Sequence, residues 1–492
     1  MPDTIASVDF GLLWPEFAVT VLAFLVLTAD FFLPPSRKDW LAVISVAGLL
    51  VVAALTVPLL WNTQEELFGG IVRIDRYAVF FKLLFLGIGV FVILASVEYV
   101  RKRLDHPGEY YAIVLFSVLA MMLLAMAGEL LTAYISLELL SFSLYILAGY
   151  AREEPKSNEA GVKYILLGAF SSALLLYGIS LLYGALGTTS FAGMAEALEG
   201  IEGVNGRLLL GMAFLVAGLG FKLAAAPFHM WAPDVYEGAP LPITAYIAVG
   251  SKAAAFALVL RLFSEGFLPA ADQWRVILAV MAALTMTVGN LVALTQSNIK
   301  RMLAYSSVGQ VGYLLMGVAA LSPLASAGLL LHLVGYSVTN MAAFTAITAF
   351  HNQEGKEEIS DLAGLGARSP FLAAVLTLSF FSLAGLPFFA GFTTKFYLFA
   401  ATAAQGLLWL AGLAMLASLI SLYYYLMVIK QMYIGSADGA TPVRVPVLMR
   451  GSLVLLVLAI IVIGVYPAPL VDAIWAATAV LPLSSVGFVV AP

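Results

Sequence analysis

Two lysines stand inside long apolar runs of this chain, Lys222 in GLGFKLAAAPFHMW and Lys252 in ITAYIAVGSKAAAFALVLR. If those runs cross a bilayer, each ammonium group lies where a charge costs about 2.5 to 3.5 kcal/mol on insertion scales, so it must face a partner or a wet cavity. The deepest carboxylate is Glu138, in LTAYISLELLSFSLYILAGY, roughly eight residues or about 12 Å into its run. A carboxylate and an ammonium group that meet at such depth set each other's charge, and together can hold or release a proton. The chemistry these residue types permit is proton or ion transfer; the plain alternative is a buried ion pair that locks helices together. Lys395 follows Gly385, Pro387 and Gly391 in SLAGLPFFAGFTTKFYLF and shares the same logic at the opposite leaflet. Lys163 opens another apolar run, where it either lines a path or reaches back to the interface. His229, at the mouth of its run, is either a proton relay or a satisfied interfacial histidine. His332, on an apolar face, is a weaker relay candidate, and Lys82, near the end of its run, reads as an interfacial anchor.

Prolines mark how these side chains are positioned. Pro227 inside a helix removes a hydrogen bond to the carbonyl of Leu223 and kinks or breaks the helix five residues past Lys222. Freed backbone at membrane depth is tolerated only where it is buried in protein or lines a cavity, and a broken helix beside a lysine is a transporter feature. The 385–391 stretch implies a second break. One break in each half suggests an internal repeat of about five spans, four to eight and nine to thirteen. The GLG of Gly218–Gly220 is no nucleotide loop, because no strand precedes it.

The elements that carry these groups follow from composition. Of 492 residues, 62% are hydrophobic and only 11% charged, which describes an all-α polytopic membrane protein. Apolar runs at 11–33, 40–60, 77–100, 110–127, 130–150, 160–185, 207–231, 241–262, 274–295, 302–321, 324–350, 370–404, 407–433 and 453–466 predict about 14 transmembrane helices. The 370–404 run is too long for one straight span, and the apolar tail, 468–492, reads as interfacial. The first run is too long for a signal peptide's apolar region and is flanked by Asp3, Asp9 and Glu16, so it reads as a span that stays. Basic residues gather in alternate loops, among them Lys38, Arg101, Lys102, Arg103, Lys156, Lys300, Arg301 and Arg368. With these loops cytoplasmic, both termini are extracytoplasmic. The absence of cysteine excludes disulfides, Cys-ligated iron–sulfur clusters and thiol catalysis, and four histidines argue against a multi-haem protein. A net charge of −5 spread over loops points to no nucleic-acid partner, and no loop is long enough to house catalysis on a soluble substrate.

FKLAAAPFHMWAPDVYEGAPLPITAY followed by SKAAAFALVLR, together with SNIKRMLAYSSVGQVGYLL and GLPFFAGFTTKFYLF, resembles the antiporter-like subunits of respiratory complex I. More narrowly, it is similar to the N-subunit family of bacterial NADH:quinone oxidoreductase, relatives of mitochondrial subunit 2. The resemblance spans about residues 110 to 435. It implies two inverted five-helix repeats, 109–265 and 266–435, between an N-terminal three-helix segment, 1–108, and a C-terminal helix and tail, 436–492. It implies that helices seven and twelve are discontinuous. It assigns Glu138 and Lys222 as a coupled pair, Lys252 as central relay, Lys395 as the exit-side group and Lys163 as a further lysine lining the path. It implies no cofactor on this chain, with NADH, FMN, iron–sulfur clusters and quinone in partner subunits, and it implies as partners the other membrane and peripheral subunits and membrane lipids. Gln310 stands where many relatives have histidine, and Asn340 where sister subunits often have lysine, so water would have to bridge toward Lys395. A multisubunit cation/proton antiporter on the same fold, or a purely structural scaffold, are the alternatives.

Overall fold

Long apolar runs become helices in a membrane because each backbone N–H and C=O must be satisfied within its own segment. The computed structural model, which describes residues 9–200, 206–436 and 442–483, is built on this rule. Among the described residues, 13 helical segments are long and apolar enough to cross a bilayer, and Pro370–Ala384 is a shorter apolar helix. Counting the broken 370–404 stretch as one more span, this matches the expected architecture.

The chain opens with α1 (Trp14–Phe32), α2 (Asp39–Leu60) and α3 (Arg76–Arg103); between the last two lies a hairpin in which β1 (Glu65–Leu67) pairs antiparallel with β2 (Val72–Ile74). The first half continues through α4 (Pro107–Ala125), α5 (Leu130–Ala148), α6 (Pro155–Leu186), the short α7 (Phe191–Glu199), α8 (Gly206–Leu223) and α9 (Trp231–Gly238). Next, α10 (Leu241–Tyr246) passes through a π-helical turn, Ile247–Ser251, into α11 (Lys252–Ser264). The second half holds α12 (Ala271–Ala293), α13 (Ile299–Ala319), α14 (Pro323–Glu354), the short α15 (Leu365–Arg368), α16 (Pro370–Ala384), α17 (Ala390–Ala404) and α18 (Leu408–Ile434). It is followed by α19 (Val447–Val465) and α20 (Ala468–Thr478). At 11 residues, or roughly 16 Å, α20 is too short to span, and it packs on α3 and α14. The rest of the tail, 484–492, lies outside the described residues.

Burial is graded inward. Every residue from 241 to 264 is buried, so the helix that carries Lys252 forms the centre of the bundle. By contrast α1, α2, α18 and α19 present one apolar face to the bundle and the other outward, with Phe31, Leu419 and Val447 well exposed. An apolar outer face is what hydrocarbon requires of these helices.

An ionic clamp fixes one end of α11. Both terminal guanidinium nitrogens of Arg261 donate to Asp75 at 2.8 Å, and Arg73 donates to Glu265 at 2.6 Å. The Arg261 guanidinium also lies 4.6 Å from the ring centre of Tyr77, whose hydroxyl donates to the carbonyl of Ala257 at 2.7 Å. Burial works to raise the Asp75 carboxyl, but Arg261, the Ala78 amide and Arg73 together outweigh it and hold the group below its ordinary 3.8. Its contribution to stability is therefore complete above about pH 4 and is lost as pH falls through the depressed folded value. Asp75→Asn, which leaves the buried Arg261 with only its longer 3.5 Å contact to Glu265, is expected to cost about 3 kcal/mol at neutral pH. Unfolding of the purified protein in detergent measures this, and the gap to the parent should narrow below about pH 4.

Candidate functional site

The first break falls where Lys222 needs it. α8 stops at Leu223, Ala224 takes a positive φ of 58°, and the chain resumes as a helix only at Trp231. The backbone groups freed here are met by protein: the amide of Ala226 donates to Thr285 Oγ1 at 2.9 Å, and the indole of Trp231 donates to the carbonyl of Phe221 at 2.9 Å. Trp231 is itself held between Tyr164, stacked at 4.5 Å, and Phe221 at 5.2 Å. The break lies one turn earlier than Pro227 alone would place it.

Lys222, on the last turn of α8, turns toward α5 and α6. Its ammonium group reaches Ser141 Oγ at 2.7 Å, Ser172 Oγ at 3.1 Å and Glu138 Oε1 at 3.3 Å, which accounts for all three of its protons. Ser172 in turn donates to the same Glu138 oxygen at 2.6 Å. The structure thus brings together Glu138 and Lys222, the two residues expected to pair.

Lys252 begins α11 directly after the π-helical turn and is 1% exposed. Its ammonium group contacts Ser307 Oγ of α13 and lies 5.6 Å from the ring centre of Tyr236, with no carboxylate in ion-pair range among the described residues. Ser307 also shares a hydrogen bond of 2.6 Å with Tyr336, whose hydroxyl donates to the carbonyl of Ala248 in the π-helical turn at 2.9 Å. π-helical turns of this kind free backbone acceptors and recur at functional sites.

Three residues beyond Ser307 on α13, Gln310 continues the line. Its Oε1 meets His332 Nε2 at 3.1 Å, and His332 Nδ1 meets Thr394 Oγ1 at 3.0 Å, next to Lys395. Lys395 donates to the carbonyl of Leu383 at 2.7 Å and to Ser418 Oγ at 2.9 Å, with the Tyr313 ring centre 4.9 Å away. Leu383 lies in the last turn of α16, where unpaired carbonyls attract a cation. The second break is made by Gly385 at φ 87° and by Gly391, whose missing side chain lets α17 approach the Ser382 carbonyl and donate its amide to Ser382 Oγ at 3.1 Å. His332, ranked low from sequence, is the residue that joins α13 to α17. A histidine two turns from Asn340 on a polar-lined face was the available signal. Asn340 itself donates to the Tyr336 carbonyl at 3.2 Å and stays off this line.

The other sequence candidates lie elsewhere. Lys163 pairs with Asp234 at 2.8 Å and Glu159 at 2.7 Å, with its side chain 41% exposed, at the end of the bundle where Arg301 also reaches Asp234 and Glu237. His229 is buried, its ring edge toward Tyr305, and its Nδ1 has no hydrogen-bond partner among the described residues. Lys82 is not an anchor: it is fully buried and sits 3.0 Å from Glu16 of α1, a pairing across 66 residues that no local pattern betrays. Among the described residues no group of three or more His, Cys, Asp or Glu could hold a metal ion.

Comparison with known proteins gives this geometry a setting. The family described as NADH:quinone oxidoreductase/Mrp antiporter, TM matches residues 127–421. NADH-quinone oxidoreductase subunit N from Desulforamulus reducens is 42% identical over 464 residues, covering 94% of this chain and 97% of the relative. A chain of respiratory complex I from Thermus thermophilus with bound aureothin superposes with a TM-score of 0.79 at 31% identity, covering 94% of this chain and 99% of that one. A chain of the Mrp complex from Dietzia sp. shares the fold, with a TM-score of 0.82 at 21% identity and coverage of 95% and 97%.

The second break is open to test through its glycine. A side chain at Gly385 would sit at φ 87° and 3.2 Å from Lys395 Cδ, so Gly385→Ala is expected to cost about 1 to 2 kcal/mol from backbone strain alone and to displace the ammonium group. Gly412→Ala, where nothing lies within 4 Å, is the matched control and should leave the thermal midpoint in detergent unchanged or raise it.

Proposed function

The chain belongs to the family of NADH-quinone oxidoreductase N subunits, and on that footing we propose that it moves protons across the membrane while electrons pass from NADH to quinone in partner subunits. The observation that carries this reading is the line of buried donors and acceptors from Lys252 through Ser307, Gln310, His332 and Thr394 to Lys395, with Glu138 and Lys222 paired alongside. Each member can accept or pass on a proton or hold a bridging water, and none is a nucleophile set for covalent chemistry.

In this reading the basic end of the bundle faces the cytoplasm and both termini are extracytoplasmic, in the cell inner membrane. Quinone reduction in a neighbouring subunit perturbs the Glu138 and Lys222 pair, which changes the field at Lys252. A proton from the cytoplasmic mouth reaches Lys252, crosses the centre along α13 and leaves by way of Lys395. The two halves, 109–265 and 266–435, serve as inverted repeats that each supply one broken helix, with α8 and α9 as one and α16 and α17 as the other. FMN, iron–sulfur clusters, NADH and quinone belong to partner subunits, other antiporter-like subunits flank this one, and lipids cover the remaining outer faces. The matched family takes in Mrp antiporters as well, but the Mrp structure is alike in fold alone, whereas relatives in the 40% range point to the oxidoreductase.

The test is NADH-driven acidification of inverted vesicles carrying Glu138→Gln, with assembly of the whole complex verified on the same membranes. Pumping and quinone reduction are both expected to fall several-fold in the assembled complex. Wild-type values of both would leave Glu138 and Lys222 as a helix lock and remove the coupling role.

A further inference from the structure

A cavity of about 400 Å³ opens at the basic end of the bundle, between the end of α3, the start of α6, the α9–α10 junction, the start of α13 and the end of α14. At its floor, Lys300 donates to Glu357 Oε1 at 2.9 Å, and His351 Nδ1 lies 3.6 Å from the same oxygen. Lys300 is only 3% exposed although it stands on the first turn of its helix. We propose that Lys300, Glu357 and His351 form a proton-intake site, at which water in the cavity loads the path that leads inward to Lys252. The proposal rests on the proton-translocating reading given above and adds its point of entry.

The geometry gives a direction to the transfer. Lys300 and Ser307 are seven residues apart on α13, two turns and roughly 10 Å along one face, and Ser307 is the residue that contacts Lys252. Lys300 also approaches the carbonyl of Ala239 at 3.5 Å, and Thr244 donates to that same carbonyl at 3.3 Å, so a polar seam runs from the cavity floor into the α9–α10 junction. Beside that seam, Tyr236 is completely buried, its hydroxyl lies toward Ser307 without a well-formed hydrogen bond, and its ring faces the ammonium group of Lys252 at 5.6 Å. A buried, unpaired hydroxyl is costly unless water reaches it. A water chain beside Tyr236 would satisfy that hydroxyl and connect Lys300 to Lys252.

The step balances as a relay of one proton. Lys300 gives a proton inward along the water chain and becomes neutral; Glu357, protonated from the cavity directly or through His351, returns a proton to Lys300; the cavity water that gave it up is replenished from bulk. No bond other than N–H and O–H is made or broken.

The site's backbone is held independently of its side chains. The Glu357 carbonyl accepts from the amide of Ile299 at 3.0 Å, and the amide of Ile359 donates to the Ser297 carbonyl at 2.8 Å. The segment bearing Glu357 therefore stays pinned to the start of α13 when the carboxylate is changed.

The experiment compares Glu357→Gln, Glu357→Asp, the neutral pair Lys300→Gln/Glu357→Gln and Lys252→Gln in the assembled complex, reading NADH-driven acidification of inverted vesicles and NADH oxidation together. Glu357→Gln should lower pumping several-fold, Glu357→Asp should restore most of it, and the neutral pair should assemble normally yet pump as poorly as Glu357→Gln. A neutral pair that pumps at the parent rate reduces the cluster to a structural ion pair and overturns the proposal, as does full pumping by Glu357→Gln. Lys252→Gln separates the two levels: if it abolishes pumping while the Glu357 variants do not, only the intake site fails, and if it too pumps normally, the translocation reading fails with it.

Discussion

The constraint on which this structure depends is that an ammonium group at membrane depth must be met by something other than bulk water. Three lysines meet it in three ways. Lys222 has all three protons placed, two on hydroxyls and one on a carboxylate. Lys395 rests on a carbonyl at the end of a helix and on a serine. Lys252, the most central, is held by one serine and faced by an aromatic ring. The number of fixed partners is thus smallest at the most central of the three. A group with every donor satisfied holds its charge in place, whereas a group with one partner leaves room for water to compete.

These placements require broken helices, and broken helices create a second demand, since their freed backbone groups must also be satisfied without water. The sequence meets it with side chains that belong to neighbouring elements. Thr285 comes from α12, Trp231 folds back from α9, and Lys395 itself covers the carbonyl of Leu383. In the second break the buried lysine and the backbone cap are the same residue. A change at Lys395 therefore touches the geometry of the break directly, while at the first break the buried lysine and the backbone cap are separate residues, Lys222 and Trp231.

Much of this was legible because membrane depth makes ionisable residues conspicuous. Apolar runs of about 20 residues give the spans, and Glu138, Lys222, Lys252 and Lys395 stand out within them. What stayed hidden are groups whose meaning lies in a distant partner. Glu16 and Lys82 each look like charges near the end of a span, and only the packing of α1 on the bundle shows them paired. Asp75, Arg261 and Glu265 read as ordinary loop and helix-end charges, yet they converge around the end of α11. The contacts of His332 are not legible in its own segment, because the glutamine and threonine that meet it stand on other helices. The hairpin was missed for a simpler reason: its strands are three residues each, too short for alternation to register.

Geometry also separates charges that hold the protein together from charges suited to moving a proton. Arg261 engages Asp75 through two nitrogens at 2.8 Å, and a bidentate guanidinium that stays protonated has one favoured arrangement. It ties the segment before α3 to α11, so the N-terminal helices brace the helix that carries Lys252. The Lys222 contact to Glu138 is single and longer, at 3.3 Å, and Ser141 and Ser172 stand ready to keep the ammonium group if the carboxylate is neutralised. Lysine tolerates loss of its proton where arginine does not. The choice of arginine for the clamp and lysine along the line is what a stationary frame around a changeable interior demands.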